Sequence, residues 1–331
     1  MTPQRFVLAP QQTKERVDRV VARLVEGVSR AVVQRWIEQG YVKVDGRLCR
    51  QRELVQAGSV IDVVPGPIPP SDAIADPSIT VAVVFEDEHL LVVDKPPGLV
   101  VHPARGHPSG TLINGLLARS GFQPSAVDPE DRQGALRPGM IQRLDKDTSG
   151  LLVVAKHAKA REGLKEQLSE RRFERSYLAL TLGTPKDGEI HTWYGRHPQS
   201  RIKFTSLVSR GKSAVTRIIT REAFWSRLVA LVECRLATGR THQIRVHLAE
   251  QAKTPVIADL TYGIRSRDPD ILAVTAAIGR QALHAASLGF VHPITQQTMR
   301  FHSSPPPDFQ EALAILRQQR PSGVRGSASR P

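Results

Sequence analysis

Cysteine is scarce in this chain: of 331 residues only Cys49 and Cys234 carry a thiol, and they lie far apart. That excludes a disulfide framework or a cysteine-based zinc site and points to a reducing compartment, the cytoplasm. Aromatic residues make up only 5%, so the core must be built mainly from Val, Leu, Ile and Ala. No apolar run approaches the ~18 residues of a membrane span. The opening "MTPQRFVLAP" lacks the apolar centre of a signal peptide. There is no phosphate-binding loop and no dinucleotide fingerprint, so no nucleotide cofactor is expected. A zinc-hydrolase "HExxH" is missing, and His242 and His247 stand five apart instead of four. Ser149, in "DTSG", has no nucleophile elbow around it, which argues against a serine hydrolase.

What is abundant is positive charge. Lys and Arg outnumber Asp and Glu by 46 to 32, a net +14, which favours a polyanionic partner and nucleic acid above all. Val17, Val20, Val21, Leu24 and Val25 recur at helical spacing, with Thr13 as cap and Gly27 as stop. A second helix runs from a cap at Ser29 to Gly40, with Val32, Val33, Trp36 and Ile37 facing inward. "YVKVDGRLC" predicts two strands around an Asp45-Gly46 turn, and "GSVIDVV" a further strand. Residues 1–12 form an extension to this first unit, which spans 13–64. A proline-rich segment, 65–79, reads as a linker. Residues 80–319 carry short strands and helices without even alternation, which predicts an α+β domain on a mixed, largely antiparallel sheet. Residues 320–331 form a basic tail expected to be disordered.

In the first unit Arg16, Arg19 and Arg23 fall opposite the apolar stripe of the first helix. Arg30 and Arg35 lie on the second helix, and Lys43 and Arg47 flank the turn. Lined up, these cations would track a phosphate backbone; the alternative is an ordinary solvated face. Further along, "QRLDKDTSGLLVV" sets Arg143, Asp145 and Asp147 on a tight turn between apolar segments, read as strand, turn and strand. Alternation puts Arg143 and Asp145 on one face and Leu144 in the core, while Asp147 suits a bond to the turn backbone.

These stretches resemble known ones. "RVDRVVARLVEGVSRAVVQRWIEQGYVKVDGRL" with "VQAGSVIDV" is similar to the S4 RNA-binding fold. "MIQRLDKDTSGLLVVAK" resembles the aspartate motif of the RNA pseudouridine synthases that modify large-subunit ribosomal RNA. "EDEHLLVVDKPPGLVVHPARGHPSGTLINGLL", "RSYLALTLG", "GRTHQIRVHLA" and "RQALHAASLGFVHP" resemble that family's other motifs in order. Two departures stand out: Gln142 replaces the usual His, and Ala258-Asp259-Leu260 replaces a more usual Gly-Asp-Pro.

The resemblance implies isomerisation of uridine to pseudouridine in large-subunit ribosomal RNA, by a monomer without metal or cofactor. It implies Asp145 as the catalytic carboxylate, acting as nucleophile at C1′ or C6 or as the base that forms a glycal. It also implies Arg245 as the charge partner of Asp145, and Tyr177 as the ring on which the extruded base stacks. Leu283 would add an apolar wall, and Arg143 either pairs with Asp145 or holds phosphate. The residues around Arg245 fit a strand or a short helix capped by Thr241. Lys95 and His102 suit structural or RNA-contacting roles before catalytic ones. Two other classes share parts of this pattern: an assembly factor with secondary catalysis, and a nucleosidase acting on free nucleosides.

Overall fold

The computed structural model describes residues 3–11, 13–25, 30–66, 74–104, 107–119, 122, 139–200 and 202–318. The tail 320–331, the stop at Gly27, the cap at Ser29 and residues 67–73 of the proline-rich segment lie outside the described residues.

The first unit contains β1 (Gln4–Val7), β2 (Glu15–Arg16), α1 (Val17–Leu24) and α2 (Arg30–Glu38), then β3 (Val42–Val44), β4 (Arg47–Leu48), β5 (Leu54–Val55) and β6 (Val60–Val63). Val17, Val20, Val21, Val33, Trp36 and Ile37 close one core with Val42, Val44, Ile61 and Val63 of the sheet. Asp45 and Gly46 both take positive φ, 51° and 79°, the left-handed pair that lets a two-residue turn follow the strand twist. Two expectations change. The supposed extension carries β1, which pairs antiparallel with β6 (Phe6 opposite Ile61), so a boundary at residue 13 cuts through a sheet. And α1 begins at Val17, not after Thr13, because Glu15 and Arg16 are extended against Val55 and Leu54.

The second unit is built on β7 (Ala82–Glu86), β8 (Leu90–Lys95), β9 (Ser149–Ala155), β10 (Glu174–Leu182), β11 (Gly188–Arg196), β12 (Phe204–Thr205), β13 (Lys212–Phe224), β14 (Val229–Leu236), β15 (Leu283–Val291) and β16 (Thr298–His302). These ten strands form one sheet, ordered β12-β11-β13-β14-β10-β15-β9-β8-β7, with β16 also on β15. Every pairing is antiparallel except β15 on β9. The α+β expectation therefore holds.

The unbroken apolar runs of β8 and β9 follow from burial on both faces. Leu91, Val93, Leu152 and Val154 enter a large core shared with α3 (Leu112–Leu117), α6 (Pro269–Ile278) and α7 (Pro307–Arg317). Leu90, Val92, Leu151 and Val153 face the opposite way, onto α4 (Ala158–Ser169). Gly150 fixes how β9 meets β15: its φ is +110°, and a Cβ there would lie 2.3 Å from the carbonyl oxygen of Ala285. No other residue fits, and the strand so anchored begins just after the Asp145 turn. Among the described residues no helix is long and apolar enough to cross a membrane.

Candidate active site

Asp145 stands on an irregular loop, not at the end of a strand. The lead-in segment makes a single bridge, Met140 with Val154, because Gly139 already turns with φ 71°. Leu144 is buried, as alternation required. The loop is braced from beneath. Lys95, fully buried at the end of β8, donates to the carbonyls of Pro96, Leu99 and Lys146 at 2.7, 2.9 and 2.8 Å. Burial pushes the Lys95 ammonium down to about 7, against the opposing pull of Asp147 and Asp145. Arg280 donates to the carbonyl of Asp147 at 2.8 Å, and Gln281 to the Thr148 hydroxyl at 3.2 Å. The carboxylate of Asp147 makes no hydrogen bond among the described residues, so its expected bond to the turn is replaced by these external braces.

Arg245 lies on a one-turn helix, α5 (Gln243–Val246), which continues as a π-type turn over His247–Gln251. The strand alternative is thus set aside. The cap is His242, with φ 61°, in place of Thr241. The Arg245 guanidinium is 5% exposed and holds two acids at once. Its Nε and Nη2 donate to Asp259 at 2.7 and 2.8 Å, and its Nη1 donates to Asp145 Oδ2 at 2.9 Å. Burial alone would lower the guanidinium pKa; the hydrogen bonds and charges of the two carboxylates outweigh it and raise it. At Asp259 burial works upward, and Arg245 with the amides of Thr261 and Tyr262 carries the net shift downward. Among the described residues, the one carboxylate that lines the cleft is Asp145.

His242 approaches from a second side. Its Nε2 is 3.9 Å from Asp145 Oδ1, and its Nδ1 is 2.9 Å from the Tyr262 hydroxyl. That hydroxyl also accepts the amide proton of Phe204 at 2.9 Å. Burial lowers the His242 pKa, against the charge of Asp145.

A cleft of about 630 Å³ opens over these groups and is lined by Asp145, Arg245, Tyr177 and Leu283 among others. Tyr177, on β10, is 8% exposed. Burial raises its pKa, Arg175 opposes the rise and Asp145 adds to it, so the ring presents a neutral phenol. The pairing of β10 with β15 shifts register between Ser176 and Tyr177, a bulge of the kind that re-aims side chains beside active sites. Arg143 lines the cleft from an exposed position. The ion pair of Asp145 goes to Arg245. Lys95 braces the loop, whereas His102 lines the cleft.

Two site residues escaped the sequence reading. Asp259 lies within the Ala258-Asp259-Leu260 departure, where the signal is the aspartate shared with the usual Gly-Asp-Pro. Arg175 lies two residues before Tyr177 on one strand, so alternation alone sends both to the same face.

The cations of the first unit divide into two sets. Arg16 is in β2 and binds Asp18 through Nε and Nη2 at 3.0 and 2.7 Å, Arg23 binds Glu15 at 3.0 Å, and Arg47 binds Glu53 at 2.7 Å. Arg19, Arg35 and Lys43 are exposed without an ion pair among the described residues, and Arg30 opens α2. Among the described residues, no three His, Cys, Asp or Glu side chains converge as a metal site requires.

Comparison with known proteins agrees with this geometry. Residues 89–250 match the family model for RNA pseudouridylate synthase, and residues 15–61 match the S4 domain. Ribosomal large subunit pseudouridine synthase D of Xanthomonas campestris is 40% identical over 309 residues, covering 92% of this chain and 89% of that protein. The chain belongs to the RNA pseudouridylate synthase family. The synthase D of Pseudomonas aeruginosa is 39% identical over 316 residues, 94% of each chain. An uncharacterized RNA pseudouridine synthase of Bacillus subtilis is 40% identical over 311 residues, 93% of this chain and 96% of that one. Human RNA pseudouridylate synthase domain containing 4 has the same fold at 22% identity and a TM-score of 0.53, covering 72% of this chain and 94% of that one. As a member of this family the chain is an isomerase.

Proposed function

We propose that this protein converts uridine to pseudouridine in large-subunit ribosomal RNA, with Asp145 as the catalytic carboxylate. The observation that carries this reading is the chain Asp259–Arg245–Asp145, which holds a carboxylate against a guanidinium in a cleft lined by Tyr177 and Leu283. The named substrate of the synthase D relatives supplies the RNA class. Isomerisation breaks the N1–C1′ bond, turns the uracil and joins C5 to C1′; C5 gives up its hydrogen as a proton and the freed N1 takes one up from solvent. The composition is unchanged, and no electron acceptor is required.

Stacked RNA hides C1′ and C5, so the uridine must leave the helix. The Tyr177 ring offsets part of the few kcal/mol that unstacking costs. Asp145 then serves as nucleophile at C1′ or C6, or as the base that forms a glycal. Arg143, at the exposed rim, holds backbone phosphate. The S4 unit, from β1 at Gln4 to β6 at Val63, is joined through 65–79 to the catalytic domain of 80–319 and adds affinity for structured RNA through Arg19, Arg30, Arg35 and Lys43. In this reading the enzyme acts as a monomer, in the cytoplasm where ribosomal RNA is made.

The test is tritium release from ribosomal RNA labelled at uridine C5 and made without endogenous synthases. Release is expected from the wild type and none from Asp145→Asn, which keeps a hydrogen-bond partner for Arg245. Full activity in Asp145→Asn would overturn the assignment.

A further inference from the structure

Arg175 is 6% exposed, yet among the described residues it has no acidic partner. Among these residues its one hydrogen bond is a long one, Nη2 to the carbonyl of Leu236 at 3.3 Å, and its Nε has no partner. A guanidinium offers five donors in a planar fork, and burying its charge without a counter-ion is costly. Buried arginines are ordinarily paired, as Arg245 is. Besides the Tyr177 phenol, the side chain that bears on Arg175 electrostatically is another cation, Arg240.

The surroundings make the missing partner an anion. The cleft is lined by Arg143, Lys165, Arg171, Arg175, Arg240 and Arg245, against a single carboxylate, Asp145. Asp145 and Arg245 neutralise each other, which leaves the far wall cationic. Gly239 also lines the cleft, and a Cβ there would lie 2.8 Å from Arg175 Nη1, so the backbone approaches the guanidinium where a side chain would crowd it. Arg240 anchors its Nε on the Ser213 carbonyl at 3.0 Å. Arg175 and Tyr177 share a face of β10, so an anion bound at Arg175 lies within one nucleotide of the base on the tyrosine.

We infer that Arg175, with Arg240 beside it, is a phosphate subsite that grips the RNA phosphodiester next to the extruded nucleotide. This rests on the reading of the cleft as an RNA-modifying site. A phosphodiester presents two oxygens that match the guanidinium fork, and it brings the counter-charge that the free enzyme lacks. A contact to a uracil carbonyl is the alternative, and it differs in kinetics: a phosphate contact exists in ground state and transition state alike, whereas charge on the uracil develops only as N1–C1′ breaks.

The experiment compares wild type, Arg175→Met and Arg175→Lys. For the RNA arm, large-subunit ribosomal RNA transcripts tritiated at uridine C5 are followed by release over a range of salt. Arg175→Met is expected to raise KM about 10- to 100-fold, the factor of one charge-assisted contact, with little change in kcat. The slope of log kcat/KM against log salt should become shallower by about one, and Arg175→Lys should recover the slope but only part of KM. For the second arm, without RNA, thermal melts in inorganic phosphate are compared with chloride at matched ionic strength. Phosphate should raise the wild-type Tm by more than that of Arg175→Met, and in chloride Arg175→Met should melt no lower than wild type. A fall in kcat at constant KM would put the residue on the base and overturn the subsite. So would an unchanged salt slope, or a lower Tm for Arg175→Met in chloride, which would mark a structural arginine. Wild-type inactivity on RNA would instead sink the reading of function, and the phosphate melts would still decide the anion site.

Discussion

Arg245 holds Asp259 with two nitrogens, at 2.7 and 2.8 Å, and extends the third to Asp145 at 2.9 Å. The two acids are not equivalent. Asp259 is enclosed and fixes the plane of the guanidinium; Asp145 is partly open and receives one bond. Asp259 is thus a positioning residue for the carboxylate that faces the cleft. Breaking a buried pair by removing one partner typically costs about 3–5 kcal/mol. Asp259→Ala should lose stability of that order in urea titration. Asp259→Asn should keep the fold better while lowering kcat, because Arg245 is then free to turn wholly onto Asp145. Wild-type kcat in Asp259→Asn would show that the plane needs no such anchor.

Ala258 precedes Asp259 with φ 58°, at the place where the related pattern has glycine. A left-handed non-glycine residue costs about 1–2 kcal/mol, and glycine gives back roughly 0.5–1 through its freer unfolded chain. Ala258→Gly should therefore stabilise by about 0.5–1 kcal/mol, read as a higher urea midpoint at unchanged slope. A lower midpoint would mean that the methyl group is held by packing.

His247 is fully buried between the hydroxyls of Thr216 and Thr192, at 2.9 and 3.0 Å. Burial drives its pKa down to about 4. Between that value and about 6.5 the unfolded chain takes up a proton that the folded protein refuses. Stability should fall as pH drops through this window, by up to about 3 kcal/mol for this one group. In His247→Gln the part of the slope above pH 5, where few carboxylates titrate, should flatten; an unaltered slope would exclude this imidazole as the cause.

The split among the S4-unit cations separates affinity from stability. Arg19→Ala, Arg35→Ala and Lys43→Ala should each weaken RNA binding and reduce its salt slope by up to about one. Arg16→Ala should chiefly destabilise, because Asp18 is fully buried and would lose its charge partner. Filter binding over a salt series, beside thermal melts of the same variants, checks both. Equal binding losses across all four would mean that the ion pairs open on RNA.

Much of this protein is determined by local sequence. Helical spacing places α1 and α2 to within a few residues, because apolar periodicity is a property of neighbours along the chain. The Asp45-Gly46 turn follows for the same reason. The identity of Asp145, Tyr177 and Arg245 as a set came from ordered motifs, each short and self-contained. What tertiary structure decided is which charges meet. Arg245 and Asp145 are 100 positions apart, and Lys95 reaches the loop from 51 positions away. Sequence cannot show that Asp145 belongs to Arg245 and not to Arg143 beside it. Nor can it show that β1 completes the first sheet, which depends on a free edge at β6, or that Asp259 and not Asp147 supports the site. Burial sets those outcomes: an acid or base removed from water must find a partner, and only the assembled sheet determines which partner is within reach.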